Sequence, residues 1–293
     1  MSTLAYEIVD VFTDRPFAGN PLAVVFGAAG LAADQMRALA REFNLSETVF
    51  VLPPAAGGTY HARIFTPESE LPFAGHPSIG AAVTSVRRGL AAPGKLVQEC
   101  GAGALPIEVT STGSATLTGG TPTLGPPLDA APLVGLVGLT AADYVGDQAA
   151  AAPRSVGCGL EFIFLPVRRE ALARAWADPS AAARLGVSTI SVFAWDPATS
   201  SAHARVFCPG VSVPEDPATG SAALGLGVWL TAAGWLPGDG DSSYTVHQGL
   251  EMHRPSLLEC TVTASGGAAT TATVTGHVVP VAKGEITVPP FIG

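Results

Sequence analysis

Four side chains in this sequence have the types and settings that proton-transfer chemistry needs: Glu47, His76, Asp216 and Ser221. Glu47 closes Asn44-Leu45-Ser46-Glu47 and opens the apolar run Thr48-Val49-Phe50-Val51-Leu52. A carboxyl flanked by Leu45, Val49 and Phe50 is partly desolvated, which raises its pKa toward general acid–base use. From position alone the ordinary reading, a solvated loop glutamate, is favoured. His76 precedes Pro77 where a buried helix is expected to begin, and its imidazole can carry or accept a proton near neutral pH. Most histidines in such turns only satisfy local hydrogen bonds. Asp216 and Ser221 bracket a second expected helix start, where both residue types are common caps. Taken singly, none of the four is compelling.

Repetition raises them. His61-Ala62-Arg63-Ile64-Phe65-Thr66-Pro67 resembles His203-Ala204-Arg205-Val206-Phe207-Cys208-Pro209, at an offset of 142. After a slip of three residues, Ala74-Gly75-His76-Pro77-Ser78-Ile79-Gly80 lies over Thr219-Gly220-Ser221-Ala222-Ala223-Leu224-Gly225. Each half reads strand, irregular turn, glycine, buried helix, and a repeat this long points to a duplicated domain. No Lys, Arg, Asp or Glu falls between Asp216 and Asp239. The apolar run there is too short and too interrupted by glycine for a comfortable membrane span. A helix apolar on every side in a soluble protein is one wrapped by other structure. Unpaired N–H groups at such a helix start can receive an anion. The expectation is a pseudo-twofold cleft with an anion held between two helix mouths, at Gly75-His76 and Gly220-Ser221.

The elements that position these residues read as short strands around the two apolar helices. Strands are expected at 4–11, 22–26, 48–52 and 60–65, an amphipathic helix at 32–43, and the first central helix from Pro77 to about Arg88. Short strands follow at 95–100, 105–110 and 115–118. Gly119-Gly120-Thr121-Pro122-Thr123-Leu124-Gly125-Pro126-Pro127 reads as the interdomain linker by its Gly and Pro content. In the second half, strands are expected at 160–167, 190–195 and 202–207, a helix at 170–176 burying Leu172 and Trp176, the second central helix, and strands at 260–264, 270–278 and 286–288. The fold class is α+β: two pseudo-symmetric domains, each a β-barrel wrapped around a central α-helix. The first covers 1–120 and the second 128–293, with the last strand free to return to the first domain.

Composition narrows the function classes. Hydrophobic residues make up 47% and charged residues only 13%, against a usual quarter, which argues for globular structure over disorder. The net charge is −9 with no basic run, so neither nucleic acid nor an anionic membrane is an expected partner. Cys100, Cys158, Cys208 and Cys260 are widely spaced, and Glu7 and Asp10 interrupt the first apolar segment. Four buried, reduced thiols in a cytoplasmic protein without a signal peptide is the plain reading. The six histidines do not cluster, and no G-x-G-x-x-G follows a strand in a βαβ unit, so neither a metal nor a nicotinamide cofactor is expected. Gly75 to Gly80 is one residue too long for a nucleophile elbow, and Gly220 to Gly225 lacks the lysine of a P-loop.

Four ordered motifs carry a resemblance that spans nearly the whole chain. Val9-Asp10-Val11-Phe12-Thr13 with Phe17-Ala18-Gly19-Asn20-Pro21-Leu22-Ala23-Val24-Val25, then Asn44-Leu45-Ser46-Glu47-Thr48, Phe73-Ala74-Gly75-His76-Pro77 and Glu215-Asp216-Pro217-Ala218-Thr219-Gly220-Ser221, resemble the PhzF-like isomerases of phenazine biosynthesis. The resemblance implies a diaminopimelate-epimerase-like fold, usually homodimeric, and a cofactor-independent isomerase acting on a small amino-acid-like carboxylic acid of the trans-2,3-dihydro-3-hydroxyanthranilate type. It places the family's catalytic residues on Glu47, His76 and Asp216, and substrate binding on Asn20, Gly75, Gly220 and Ser221. The related epimerases exchange protons through two cysteines at positions that are Ala74 and Thr219 here, which removes a two-thiol mechanism. His253 in Gln248-Gly249-Leu250-Glu251-Met252-His253-Arg254-Pro255-Ser256 stands where the family has glycine, and reads as a surface-turn residue. The alternatives are an epimerase or racemase using Glu47 with another base, and a ligand-binding protein of the same fold without turnover. Retention of Glu47, His76, Asp216 and Ser221 favours catalysis, because a pure binder needs no base near a C–H bond.

Overall fold

The computed structural model describes residues 2–146, 149–209 and 213–291. The chain divides into two compact units: residues 1–117 with 275–293, and residues 118–274.

In the first unit β1 (Thr3–Val11) and β2 (Asn20–Phe26) pair antiparallel, followed by α1 (Ala33–Phe43), β3 (Thr48–Leu52), β4 (Tyr60–Phe65) and the short β5 (Glu70–Leu71). The central helix α2 (Gly75–Arg87) comes next, then β6 (Gly94–Cys100), β7 (Gly103–Val109) and β8 (Ser114–Thr118). β2 pairs parallel with β3, β3 antiparallel with β4, β4 antiparallel with β5, and β4 parallel with β6. The end of the chain enters this sheet by pairing antiparallel with β1, from Thr3↔Thr287 to Val11↔Val278. β2 and β3 are almost continuously apolar because both of their faces are covered. On the outside, α1 turns Met36, Leu39 and Ala40 against Leu4, Val25, Phe50 and Phe65. On the inside, every residue of α2 from Gly75 to Ser85 is buried. Gly80 allows this, since a side chain there would collide with Leu22 and Val11.

The second unit repeats the pairing scheme. It contains β9 (Thr123–Leu124), α3 (Ala130–Leu136), β10 (Arg154–Gly157), β11 (Glu161–Pro166), α4 (Pro179–Leu185), β12 (Ile190–Asp196), β13 (Ser201–Phe207) and β14 (Glu215–Asp216). The central helix α5 (Gly220–Ala232), β15 (Gly240–Gln248), β16 (Ser256–Ser265) and the start of the long β17 (Ala268–Thr287) complete it. β11 pairs parallel with β12, β12 antiparallel with β13, β13 antiparallel with β14, and β13 parallel with β15, the order seen for β2 to β6. α5 is buried from Gly220 to Thr231. Phe193, Trp229 and Trp235 pack edge-on around it at centroid distances of 5.0–6.4 Å. No helix among the described residues is long and apolar enough to cross a membrane. Each unit is thus a β-barrel wrapped around one helix, the α+β class expected.

Several local expectations are corrected. The Gly/Pro-rich stretch 119–127 is paired, not a free linker: β9 lies beside β10, and the N–H groups of Gly119, Gly120 and Gly125 donate to Ala272, Cys158 and Ser155 carbonyls. It belongs to the second unit, while 275–293 belongs to the first. The expected helix at 170–176 is a 3-10 helix over Arg169–Arg174 that buries Leu172 but leaves Trp176 56% exposed. The chain turns extended at Ala175, so Trp176 leaves the helix face and lies over Gly138. Cys158 and Cys260 are buried, but Cys100 and Cys208 only partly so, and none of the four is in a disulfide. The separate strands expected at 270–278 and 286–288 are one strand, β17.

On adjacent strands of the second unit His203 and His247 stack, centroids 4.7 Å apart and planes 17° from parallel. Burial, with help from Arg169 and His247, pushes the His203 pKa down to about 4, against a smaller opposing effect of Asp196. Burial and Arg169 also lower His247. Between about pH 4 and the ordinary histidine range the unfolded chain therefore binds more protons at these sites than the folded one. Stability contributed by the neutral pair is present above the unfolded pKa and is lost as pH falls toward 4. Urea unfolding at pH 7.0, 6.0 and 5.0 should show a falling midpoint for the wild type, and a smaller fall for His203→Asn.

Candidate active site

In the first unit the site is built at the start of α2. Asn44 ends α1 in the left-handed region (φ 51°), which turns the chain so that Ser46 and Glu47 run directly into β3. The Glu47 side chain is 19% exposed, and its Oε2 is buried without a hydrogen-bond partner, 3.6 Å from Nε2 of the 5%-exposed His76 ring. Burial pushes the Glu47 carboxyl above its ordinary value, and the neighbouring Ser46 hydroxyl works in the opposite direction. Asn20, fully buried at the start of β2, lies 3.3 Å by its Nδ2 from His76 Nδ1, and its Oδ1 accepts a 3.5 Å hydrogen bond from Ser46 Oγ. With Oδ1 turned to Ser46, the amide nitrogen donates to His76 Nδ1. That fixes the tautomer whose Nε2 carries the hydrogen and faces Glu47.

A second buried chain holds the helix start itself. Tyr60 donates to Gln98 Oε1 (3.0 Å), Gln98 Nε2 donates to Ser78 Oγ (2.8 Å), and Ser78 Oγ donates to the Ala74 carbonyl (2.8 Å). Burial, with a smaller contribution from Cys100, drives the Tyr60 phenol far above its ordinary pKa, so it stays a neutral donor. Bidentate pairing of Arg63 with Glu70, both contacts 2.7 Å, closes β4 against β5 just before α2.

The second unit builds its helix mouth by the same rule. Arg205 pairs bidentately with Glu215, both contacts 2.8 Å, closing β13 against β14 just before α5. The N-cap residue of α5 is Thr219, whose hydroxyl donates to Asp216 Oδ2 at 2.6 Å, and Ser221 lies inside the first turn. Gln248, 2% exposed at the end of β15, organises the turn. Its Nε2 donates to the Asp216 carbonyl (2.7 Å) and to Thr219 Oγ1 (3.0 Å), and its Oε1 accepts from the Thr219 N–H (3.2 Å). Gly249 follows at φ 76°, where any side chain would collide with the Pro217 and Arg254 carbonyls.

The helix starts are satisfied in different ways: at α1 the N-cap residue Ala32 has no side-chain cap, and Gln35 Oε1 accepts from the Ala32 N–H. α3 and α4 are capped by Asp129 and Asp178, whose carboxylates accept from Ala131 and Ser180 N–H groups. The N-cap residues of α2 and α5 are Ala74 and Thr219, and neither makes a side-chain cap. An uncapped helix start keeps its positive end available to an anion instead of satisfying it internally.

The structure therefore brings Glu47, His76 and Asn20 together beside Gly75, while Asp216, Gly220 and Ser221 share the mouth of α5 in the other unit. Sequence reasoning passed over Ser46 and Gln98, and gave Gln248 no role although it named the segment. A buried glutamine on a strand has no sequence signature, since its meaning lies in the partners it reaches. His253 is exposed in the left-handed region (φ 56°) at the end of a 3-10 turn, a conformation that favours glycine.

Two barrels are thus each threaded by a buried helix, and at the start of one of those helices a desolvated carboxyl faces an oriented imidazole. Comparison with known proteins gives the family. Residues 9–284 match the phenazine biosynthesis-like (PhzC-PhzF) family, and the chain belongs to it. It is 36% identical to an uncharacterized isomerase of Mesorhizobium japonicum, over 98% of this chain and 99% of that one. It is 33% identical to a trans-2,3-dihydro-3-hydroxyanthranilate isomerase of Pseudomonas fluorescens, over 96% and 98%. Among solved structures, a predicted epimerase from Pseudomonas aeruginosa superposes with a TM-score of 0.80 at 32% identity, covering 98% of this chain and 100% of that one. The protein is an enzyme of the isomerase class.

Replacing Gln248 by Ala removes three hydrogen bonds from the Asp216–Thr219 turn and leaves a backbone donor unpaired. A loss of about 1–3 kcal/mol is expected from denaturant unfolding, with Gln248→Glu no milder, because its carboxylate cannot donate to the Asp216 carbonyl and places a charge in a buried site.

Proposed function

We propose that this isomerase moves a proton, and with it a double bond, within a small amino-acid-like carboxylic acid of the trans-2,3-dihydro-3-hydroxyanthranilate type, without a cofactor. The observation that carries this is the Glu47 carboxyl, buried against the oriented His76 ring at the uncapped start of α2. As the base, Glu47 takes a proton from an acidified carbon and returns it to another carbon of the same molecule. The carboxylate is regenerated, and the substrate's π electrons shift by one position. His76 holds its Nε2–H toward Glu47 and steadies the charge that develops during transfer, with Asn20 keeping the ring in that tautomer. Asn20 is fully buried, so its part is to position His76 from behind, in place of the direct substrate contact the resemblance implied. Gly75 offers helix-start N–H binding to the carboxylate. Substrate binding at Gly220 and Ser221, and a hold on the substrate amine by Asp216, belong to the same proposal.

One positioned acid–base group contributes about 10²–10⁴ in rate. Glu47→Gln should therefore lower kcat by that order while the Kd for substrate stays within a few-fold. Because base catalysis needs the ionised form and the Glu47 pKa is raised, the acid limb of kcat/KM should lie above the ordinary glutamate range. Asn20→Ala should lower kcat more than it raises KM, by releasing the His76 ring. Wild-type turnover in Glu47→Gln, or an acid limb at an ordinary glutamate value, would overturn the assignment.

The epimerase name of one similar structure favours a second reading, inversion at a single carbon. Reaction in deuterated water separates the two. Double-bond migration with label at the receiving carbon supports the isomerase, whereas label at the original carbon with inverted configuration supports an epimerase. Ala74 and Thr219 at the helix starts argue against inversion by a pair of thiols.

A further inference from the structure

The N-terminal end of α2 holds the Glu47–His76 pair. At its other end, eleven residues and about 16 Å from His76, Arg87 and Arg88 border a second cavity of the first unit, about 530 Å³ in volume. Glu7, Pro280, Val281, Ala282 and Lys283 complete its lining. The volume falls within the range for small-molecule sites.

A backbone irregularity shapes one wall. β1 and β17 pair in register from Thr3↔Thr287 to Ile8↔Ala282 and resume at Val9↔Pro280, so Val281 is an extra residue with no partner across the ladder. A bulge of this kind bends its strand and re-aims side chains. On β1, Leu4 and Tyr6 pack toward α1, and Glu7, on the alternate face, meets the end of α2.

Charge distinguishes this cavity. Arg87, Arg88 and Lys283 surround the single carboxylate of Glu7, a local charge of +2 in a chain whose net charge is −9. Glu7 is engaged by the arginines: its Oε2 accepts from Arg87 Nη2, and its Oε1 accepts from Arg88 Nη1 at 3.0 Å. Lys283 stands opposite Glu7 in the ladder, yet its ammonium makes no ion pair or hydrogen bond with a described residue. The negative end of α2 offsets about half a charge, and the remaining excess has no partner among the described residues.

Donors remain as well. Each guanidinium carries five N–H groups; Arg87 directs two, to Glu7 and to Thr84 Oγ1 at 3.4 Å, and Arg88 one. The forks are also held in place. Both are tied to Glu7, which is 8% exposed, and Arg88 stacks over Phe26 with its Cζ 4.3 Å from the ring centroid. Donors already ordered lower the conformational cost of binding.

We propose that this cavity binds a small phosphate monoester, its phosphate between Arg87, Arg88 and Lys283 and its organic body against Pro280 and Val281. A phosphate monoester carries about −1.5 to −2 at neutral pH, which matches the local excess, whereas a monocarboxylate leaves about half of it unmet. Guanidinium forks suit phosphate oxygens bidentately, and the ammonium adds a point charge.

The test is a titration of the full-length protein with phenyl phosphate and, in parallel, benzoate at the same ionic strength, followed by ¹H–¹⁵N spectra of backbone amides and arginine Nε–H groups. Saturable shifts are expected at Glu7, Arg87, Arg88, Val281 and Lys283, with phenyl phosphate bound roughly 10-fold more tightly than benzoate, the worth of one further charge-assisted hydrogen bond. Arg87→Gln and Arg88→Gln also release Glu7, so the deciding variant is Lys283→Gln, whose side chain supports no other group. It should raise the phenyl phosphate Kd about 3–10-fold with the urea midpoint unchanged, and Lys283→Arg should restore binding. Shifts that do not saturate or that appear only elsewhere, equal affinity for the two ligands, or phenyl phosphate binding unchanged in Lys283→Gln would overturn the proposal.

Discussion

The constraint on which everything else depends is that each unit contains a helix with no face to offer water. α5 carries no charged side chain and is buried from Gly220 to Thr231, and α2 is buried from Gly75 to Ser85. Such a helix is stable in a soluble protein only if apolar structure surrounds it. The strands supply that surrounding, and the close-approach glycines Gly80 and Gly225 let neighbouring side chains reach the helix backbone. The cost falls at the N-terminus, where backbone donors have no intrahelical acceptor. The outer helices α3 and α4 meet that cost with aspartate caps and α1 turns Gln35 back onto the Ala32 N–H, whereas the N-cap residues of the two central helices make no side-chain cap. An anion-receptive end is thus a consequence of how these barrels are built.

Polar side chains gather at that end because the chain delivers residues to it by repeated means. An Arg–Glu bidentate pair closes the strand hairpin before each central helix, Arg63 with Glu70 and Arg205 with Glu215. The pairs occupy corresponding strands, so they are a shared structural device that sets where each helix begins. Beyond this device the units differ. The first adds Glu47 from the end of a loop and Asn20 from the start of β2, setting a carboxyl 3.6 Å from an imidazole whose tautomer is fixed. The second adds Gln248, which ties Asp216 and Thr219 into one turn. Duplication explains the common frame, and the two elaborations explain why residues at matching positions need not share a role.

Much of this was legible in the sequence because it is local or repetitive. The charge-free run after Asp216, the doubled His-Ala-Arg segment and the Gly–His–Pro and Thr–Gly–Ser starts determined two barrel-around-helix units and pointed to Glu47, His76, Asp216 and Ser221. Alternation and apolar runs located most strands, since strand burial writes itself into residue order. The short helices α3 and α4 and strands β10 and β15 left weaker signals, being brief or polar, and stretch 119–127 looked unpaired because Gly and Pro mark turns without revealing what the backbone between them meets.

What only the tertiary structure decided were relations between residues distant in the chain. That Glu47 is desolvated against His76, that Asn20 holds the ring from behind, and that Gln248 fixes the Asp216 turn all depend on groups tens of residues apart. Trp176 gives the same lesson in reverse: its helical spacing from Leu172 implied burial, but one extended residue at Ala175 turned it outward. Sequence determines which surfaces must be hidden, because hydrophobic pattern is a local property. Which polar groups then meet is set by how the strands close around the helices, and no local pattern carries that information.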